Sequence, residues 1–193
     1  MCGKGPAAAA VTAAARHTVR AAATHGADHV EVLEWLNDAI IAGGGGRYCT
    51  LVYATIEPAS TGGADHDLSA PWRMTLVCGG HPLPQRLRGG RVERIGEHGT
   101  LVGVLPEVRV RPVTVDLCPG DVVVFSTDGV TDVPAPHGLS DDEFDELLEA
   151  SMAPGGNATD LIERLGAAIE HRLSIRERAD DVAVLVVAFE SAG

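Results

Sequence analysis

Residues 122–132 read VVVFSTDGVTD, an apolar run that ends in an acidic, glycine-containing turn. Short runs of β-branched residues are typical of buried strands, and Asp-Gly is typical of the turn that follows one. A second junction of this kind lies near the end of the sequence, where Asp180 and Asp181 precede the apolar residues 182–187. A carboxylate at the end of a buried strand is costly to desolvate unless a cation meets it. The two junctions therefore predict a shared divalent cation.

Aspartates that follow strands also have a simpler explanation, since they often form turns by hydrogen-bonding to their own backbone. This alternative stays open for Asp132 and Asp181, and Asp181 could also orient Asp180 instead of binding a cation itself. The sequence has no Cys-x-x-Cys pair and no His-Glu-x-x-His helix. Carboxylate oxygens without such ligands favour Mg²⁺ or Mn²⁺ over zinc.

Composition narrows the class of protein. The 193 residues suit one ordinary domain. The 15 Lys and Arg residues and 27 Asp and Glu residues give a formal net charge of −12, which disfavours binding to nucleic acid or to an anionic membrane. The four cysteines are widely separated and predict reduced thiols. No apolar run approaches the roughly 20 residues of a membrane span, so we expect a cytoplasmic protein.

Hydrophobic periodicity predicts a sheet region flanked by helices. Asp28 and Ser140 are expected to cap two of the helices, and the Gly pair at 89–90 to turn a hairpin. The predicted helices cover residues 6–24, 28–41, 139–152 and 157–172, and the predicted strands cover 48–57, 73–78, 85–87, 92–95, 108–115, 121–126 and 182–187. This order suits stacked sheets covered by helices.

Five motifs occur in an order that resembles the metal-dependent PPM (protein phosphatase 2C-like) serine/threonine phosphatases, in their bacterial SpoIIE-type branch. They are Cys2-Gly3-Lys4-Gly5-Pro6, Gly79-Gly80-His81-Pro82, Gly103 in its Val-Gly-Val-Leu-Pro stretch, residues 120–132 and the closing Asp-Asp-Val. The resemblance spans nearly the whole sequence. It implies an α+β fold, a four-layer α-β-β-α sandwich of antiparallel sheets covered by helices, formed by a single domain over residues 1–193.

The resemblance also implies roles for the acidic residues. By analogy with the family, Asp128 and Asp180 ligate the metals, and Asp132 matches a position that helps to hold a third, weaker ion in some members. Asp181 is a further candidate metal residue. Two Mg²⁺ or Mn²⁺ ions would activate a water for attack on the phosphate, so that no protein nucleophile is needed.

The beginning of the sequence departs from the family pattern. Met1 stands where the family has the Val of a Gly-Asp-Val, so the family's metal-bridging Asp and its first strands are missing. We therefore expect an N-terminally truncated domain, and a sheet edge exposed by the missing strands could support a homodimer. Gly3 and Lys4, together with Met1, are weaker candidates for metal or phosphate contact, because N–H groups at a helix start can bind an anion.

The function implied is hydrolysis of phosphoserine or phosphothreonine on a regulatory protein. In this branch the substrate would be a phosphorylated anti-sigma-factor antagonist, within stress or sporulation signalling. The alternative is a non-catalytic module that keeps the fold and binds a signalling partner.

Overall fold

The structure is a computed structural model that describes residues 6–44, 46–59, 71–131, 138–152, 157–172 and 181–190. The chain divides into two compact units. The first unit comprises Met1–Glu57, Arg73–Leu83 and Gly96–Val115, and the second comprises Pro58–Trp72, Pro84–Ile95 and Asp116–Gly193. The prediction of one domain over residues 1–193 stays a prediction.

Helices and strands alternate in blocks along the described residues. The helices are α1 (Pro6–Thr24), α2 (His29–Ala42), α3 (Asp141–Ser151) and α4 (Ala158–Arg172). The strands are β1 (Leu51–Pro58), β2 (Trp72–Gly79), β3 (Gln85–Arg88), β4 (Arg91–Arg94), β5 (His98–Gly99), β6 (Val113–Leu117), β7 (Val122–Ser126) and β8 (Val184–Ala188). They form two four-stranded sheets, and the predicted α+β class with helix-covered sheets is confirmed.

The helices of the first unit begin where their capping residues predict. Asp28 accepts hydrogen bonds from the N–H groups of Val30 and Glu31, and the Glu31 carboxylate accepts the Asp28 N–H in return. This capping box satisfies donors that the first turn of a helix leaves free. The helix it starts then buries an apolar stripe that includes Leu33 and Leu36. The predicted N-cap is therefore confirmed.

The Gly103 motif is explained by close packing in the first unit. Gly103 has a φ of +93°, and a Cβ at this position would lie 2.4 Å from Ile40 Cγ2. Its N–H donates to the buried Asn37 side chain at 2.8 Å, while the Asn37 amide donates to the Leu105 carbonyl at 3.0 Å. These contacts fix the loop against α2, and only glycine fits both the backbone conformation and the space.

The second unit contains the sheet that bears the acidic junctions. Its strands run in the order β4-β3-β7-β8, and each neighbouring pair is antiparallel. One face of this sheet packs against α3 and α4 through a core that includes Val124, Phe144, Leu148 and Leu165. Ser140 caps α3 in a capping box with Glu143, as predicted.

One strand prediction was partly wrong, and one short strand was not predicted. Residues 108–112 are not in a strand, and β6 covers Val113–Leu117 instead. Val108 and Val110 pack on the core of the first unit without joining a sheet, so apolar alternation there reflects burial rather than strand pairing. The sequence also gave no sign of β5, which pairs in parallel with β2 through Cys78–His98 and Gly79–Gly99.

Candidate metal centre

The C-terminal end of β7 and the start of β8 lie side by side. In this antiparallel pair Ser126 is opposite Val184, and Val124 is opposite Val186. The chain leaves β7 through Thr127 and Asp128, and it enters β8 from Asp181. Antiparallel pairing therefore brings together two acidic segments that lie more than 50 residues apart.

Thr127 joins the two segments directly. Its hydroxyl donates to the Asp181 carbonyl at 3.0 Å and accepts the Ala183 N–H at 3.0 Å. Its own N–H donates to the Ala183 carbonyl, also at 3.0 Å. The three hydrogen bonds extend the β7–β8 ladder by one residue beyond its regular end and fix the position of the residue that follows, Asp128.

Asp128 stands on a single turn of 3-10 helix, Asp128–Val130, that directly follows this link. Its carbonyl accepts the Thr131 N–H at 2.9 Å, which closes the turn. Val130 is 1% exposed and belongs to the core of the second unit, whereas Asp128 is exposed. The turn is thus anchored in the core by an apolar side chain while its carboxylate faces outward.

The chemistry of this turn fits a hard divalent cation. Among the described residues, none is seen to form a hydrogen bond or ion pair with the exposed Asp128 carboxylate. The neighbouring segment carries the carboxylate and carbonyl oxygens of Asp181. Carboxylate and carbonyl oxygens are the ligands that Mg²⁺ and Mn²⁺ take in proteins.

Only part of the predicted ligand set falls within the described residues. Asp128 and Asp181 lie on adjoining segments, linked through Thr127. Within the described ranges, no group of three or more His, Cys, Asp or Glu side chains is arranged to hold a metal ion. The remaining candidates lie outside those ranges: Asp132, Asp180, Met1, Gly3 and Lys4.

A buried ion pair fixes the opposite end of β7. Asp121 is 2% exposed, and its carboxylate accepts two hydrogen bonds from the Arg88 guanidinium, at 2.8 Å and 2.5 Å. The same carboxylate accepts the Cys118 N–H at 2.8 Å. The pair ties the turn before β7 to β3. No local sequence pattern marks this pair, because Arg88 and Asp121 are 33 residues apart.

Comparisons with solved structures place the fold. The SiaA-PP2C domain of Pseudomonas aeruginosa is 16% identical, with a TM-score of 0.72 over 98% of this chain and 73% of that chain. The RsbU and RsbW domains of Rv1364c from Mycobacterium tuberculosis are 23% identical in sequence. Their TM-score is 0.70, over 96% of this chain and 48% of that chain. The catalytic domain of the serine/threonine protein phosphatase PstP, in complex with 2 manganese ions, is 20% identical in sequence. Its TM-score is 0.55, over 89% of this chain and 78% of that chain.

The family follows from the sequence. No curated protein matches this chain. No described helix is long and apolar enough to cross a membrane. The family model for stage II sporulation protein E matches residues 1–190, which is nearly the whole sequence. The resemblance predicted from the five motifs is confirmed, and the chain belongs to the SpoIIE family of PPM-type (PP2C-like) phosphatase domains.

Proposed function

We propose that this chain is a Mg²⁺- or Mn²⁺-dependent protein phosphatase that hydrolyses phosphoserine or phosphothreonine on a regulatory protein. The observation that carries the proposal is the Thr127 link, which holds the Asp128 turn beside the Asp181 segment. Family membership supports the same reaction, as does the fold shared with phosphatase domains.

Asp128 and Asp180 would be the principal metal ligands, with Asp132 and Asp181 in supporting positions. Met1, Gly3 and Lys4 would contact a metal or the phosphate. When bound, two divalent ions would supply an activated water and neutralise charge on the phosphate oxygens. Thr127 would hold the ligand-bearing turn in place.

The substrate would be a phosphorylated signalling protein, and we propose an anti-sigma-factor antagonist in a stress-response pathway. The net charge of −12 would repel a phosphoprotein at long range, so recognition of the phosphate would have to be local, through the cations. We also propose a cytoplasmic location, since the described cysteines Cys49, Cys78 and Cys118 are not in disulfide bonds. A homodimer through a sheet edge is part of the same proposal.

The test is hydrolysis of a serine-phosphorylated anti-sigma-factor antagonist and of p-nitrophenyl phosphate, with Mn²⁺ and with EDTA. We expect Mn²⁺-dependent phosphate release that Asp128→Asn removes. The matched control is Asp38→Asn, which changes another exposed aspartate, on α2 in the first unit. Equal activity of the Asp128→Asn and Asp38→Asn variants would refute the assignment. Hydrolysis that appears only when the chain is extended upstream to include the family's Gly-Asp would support a truncated enzyme. Binding of the phosphoprotein without hydrolysis by either chain would instead favour the non-catalytic module.

A further inference from the structure

β8 forms one edge of the sheet in the second unit. Among the strands that the structure describes, it pairs only with β7. The Ala183 carbonyl accepts a hydrogen bond from Thr127, and Phe189 exchanges backbone hydrogen bonds with Gly120 and Asp121 on the same side. Successive residues of a strand direct their backbone groups to opposite sides. The N–H and C=O groups of Val184, Val186 and Ala188 therefore point away from β7.

The opposite edge of this sheet, β4, is protected against pairing. Its residues include Arg91, Glu93 and Arg94, and the Val92 N–H already donates to the Glu149 carboxylate at 2.9 Å. Arg94 also bonds to acidic side chains of α3. Charged residues and covered N–H groups are the usual means by which a sheet edge avoids a further strand.

Neither form of protection is found at β8 within the part of the chain that the structure describes. Its sequence, VLVVA, carries no charge, and the Leu185 side chain is 60% exposed. Beside the strand runs a groove shared with α4. The groove is lined by Ile162, Leu165, Gly166, Ile169, Glu170, Val182 and Val184. A strand added to β8 would place alternate side chains over this groove.

We propose that two copies of this chain pair through their β8 edges, forming an antiparallel contact across a two-fold axis. The edge is self-complementary, because a pairing centred on Val186 sets Val184 opposite Ala188 and places only apolar residues within the strand pair. Along the sequence, the nearest charged residues, Asp181 and Glu190, lie beyond the ends of the strand. An isologous contact of this kind closes at two copies.

The α4 groove makes the contact larger than a strand pair alone. Stable interfaces bury about 1,200–2,000 Å² in total, more than one short strand pair supplies. Ile162 is 40% exposed on the groove side of α4, and its burial would add apolar area. The pairing therefore depends on both the backbone edge of β8 and the apolar face of α4.

The test is the mass of the protein in solution, by sedimentation equilibrium over a range of concentrations. We expect the average mass to rise from the 20.0 kDa of one chain towards twice that value. Val186→Pro removes an outward N–H without removing a β7 hydrogen bond, and it should keep the protein monomeric. Ile162→Lys should weaken the dimer through the groove. Its matched control is Ile56→Lys, at an isoleucine of 44% exposure on β1 that should leave the dimer unchanged.

Hydrogen exchange supplies a second measurement, which holds even if the proline variant fails to fold. The amides of Val184, Val186 and Ala188 should exchange more slowly as the concentration rises, and Ile162→Lys should abolish this dependence. A protein that stays monomeric at every concentration would overturn the proposal. So would protection of these amides that is independent of concentration, because a segment of the same chain would then cover the edge. A dimer that Ile162→Lys leaves intact would also refute it.

Discussion

Replacing Thr127 by valine tests whether the link between the two acidic segments shapes the metal site. Valine keeps the size and β-branching of threonine, but it can neither donate to the Asp181 carbonyl nor accept the Ala183 N–H. The backbone hydrogen bond from Thr127 to Ala183 remains. The substitution therefore removes the side-chain link while it preserves the last rung of the ladder.

The expected loss follows from these contacts. A hydrogen bond between neutral groups contributes about 0.5–1.5 kcal/mol net, and two are lost. Asp181 and Ala183 are exposed, so water replaces part of the interaction. We expect a fall of about 1.5 kcal/mol in the free energy of unfolding, or about 3–6 °C in Tm for a protein of this size. The metal affinity should fall about 10- to 100-fold, as when a group that orients a ligand is lost.

Urea unfolding and Mn²⁺ titration calorimetry measure the two effects separately. Thr127→Ser is the control, because it keeps the hydroxyl and loses only a methyl group. Its Mn²⁺ affinity should stay closer to that of the unmodified protein than the affinity of Thr127→Val does. If Thr127→Val is destabilised but binds Mn²⁺ as tightly as the unmodified protein, the hydroxyl serves only to join strands, and the argument that it positions Asp128 is wrong.

Three further substitutions test the site and its support. Asp128→Asn should reduce Mn²⁺-dependent hydrolysis by more than the about 10- to 100-fold expected when a residue that only orients a metal ligand is lost. The free energy of unfolding in urea should change by less than about 0.5 kcal/mol, because Asp128 is exposed. Asp121→Ala should cost about 2–3 kcal/mol in urea unfolding, below the usual cost of breaking a buried pair because Arg88 is 44% exposed. Burial raises the pKa of Asp145 above its ordinary 3.8, against the opposing hydrogen bond from Arg94. The stability that follows from this raised pKa is present below the pKa of Asp145 in the unfolded chain, and it is lost as the pH rises through the pKa of Asp145 in the folded protein. Asp145→Asn should therefore remove this pH-dependent loss of unfolding free energy, measured with urea from about pH 3 to pH 7.

Specific results would contradict the predictions for Asp121→Ala and Asp145→Asn. Glu93→Gln breaks a half-buried pair in which Glu93 is 62% exposed and Arg86 is 14% exposed. Because solvent screens Glu93, the substitution should cost no more than about 1 kcal/mol. If Asp121→Ala costs no more than this control, the buried pair does not anchor β7. Parallel stability curves for Asp145→Asn and the unmodified protein across the pH range would show that burial does not shift the Asp145 pKa.

Local patterns predicted most elements of the fold because their signals lie within a few residues. The caps at Asp28 and Ser140 bond to groups two or three residues away, and the hairpin of β3 and β4 turns at a Gly pair with φ of +57° and +78°. β5 could not be predicted in this way. It has two residues, and its partner β2 is about 20 residues away in sequence, so neither periodicity nor a turn signal marks it.

In the candidate site, too, features with a local sequence signal could be predicted and features that depend on distant contacts could not. The acidic junctions at Asp128 and Asp181 were evident from apolar runs that border carboxylates, after the run at Asp128 and before it at Asp181, and their roles as ligands stay predictions. The Thr127 link was not evident, since its partners lie 54 and 56 residues further along the chain. A threonine between a strand and an Asp-Gly turn has no distinctive local pattern, and its role depends on which residue of β8 stands opposite.

That register is not decided by the apolar residues alone. β7 and β8 are almost uniform runs of valine and similar residues, so a slip of two positions would keep the same faces buried and cost little in packing. The polar contacts at the two ends distinguish the registers. Asp121 is held by Arg88 at one end, and Thr127 is bonded to Asp181 and Ala183 at the other. A slip of two residues in either direction would break the Thr127 contacts and change the position of Asp128 relative to Asp181. The ion pair and the threonine therefore determine the position of the acidic turn, and the apolar core supplies the stability that holds it there.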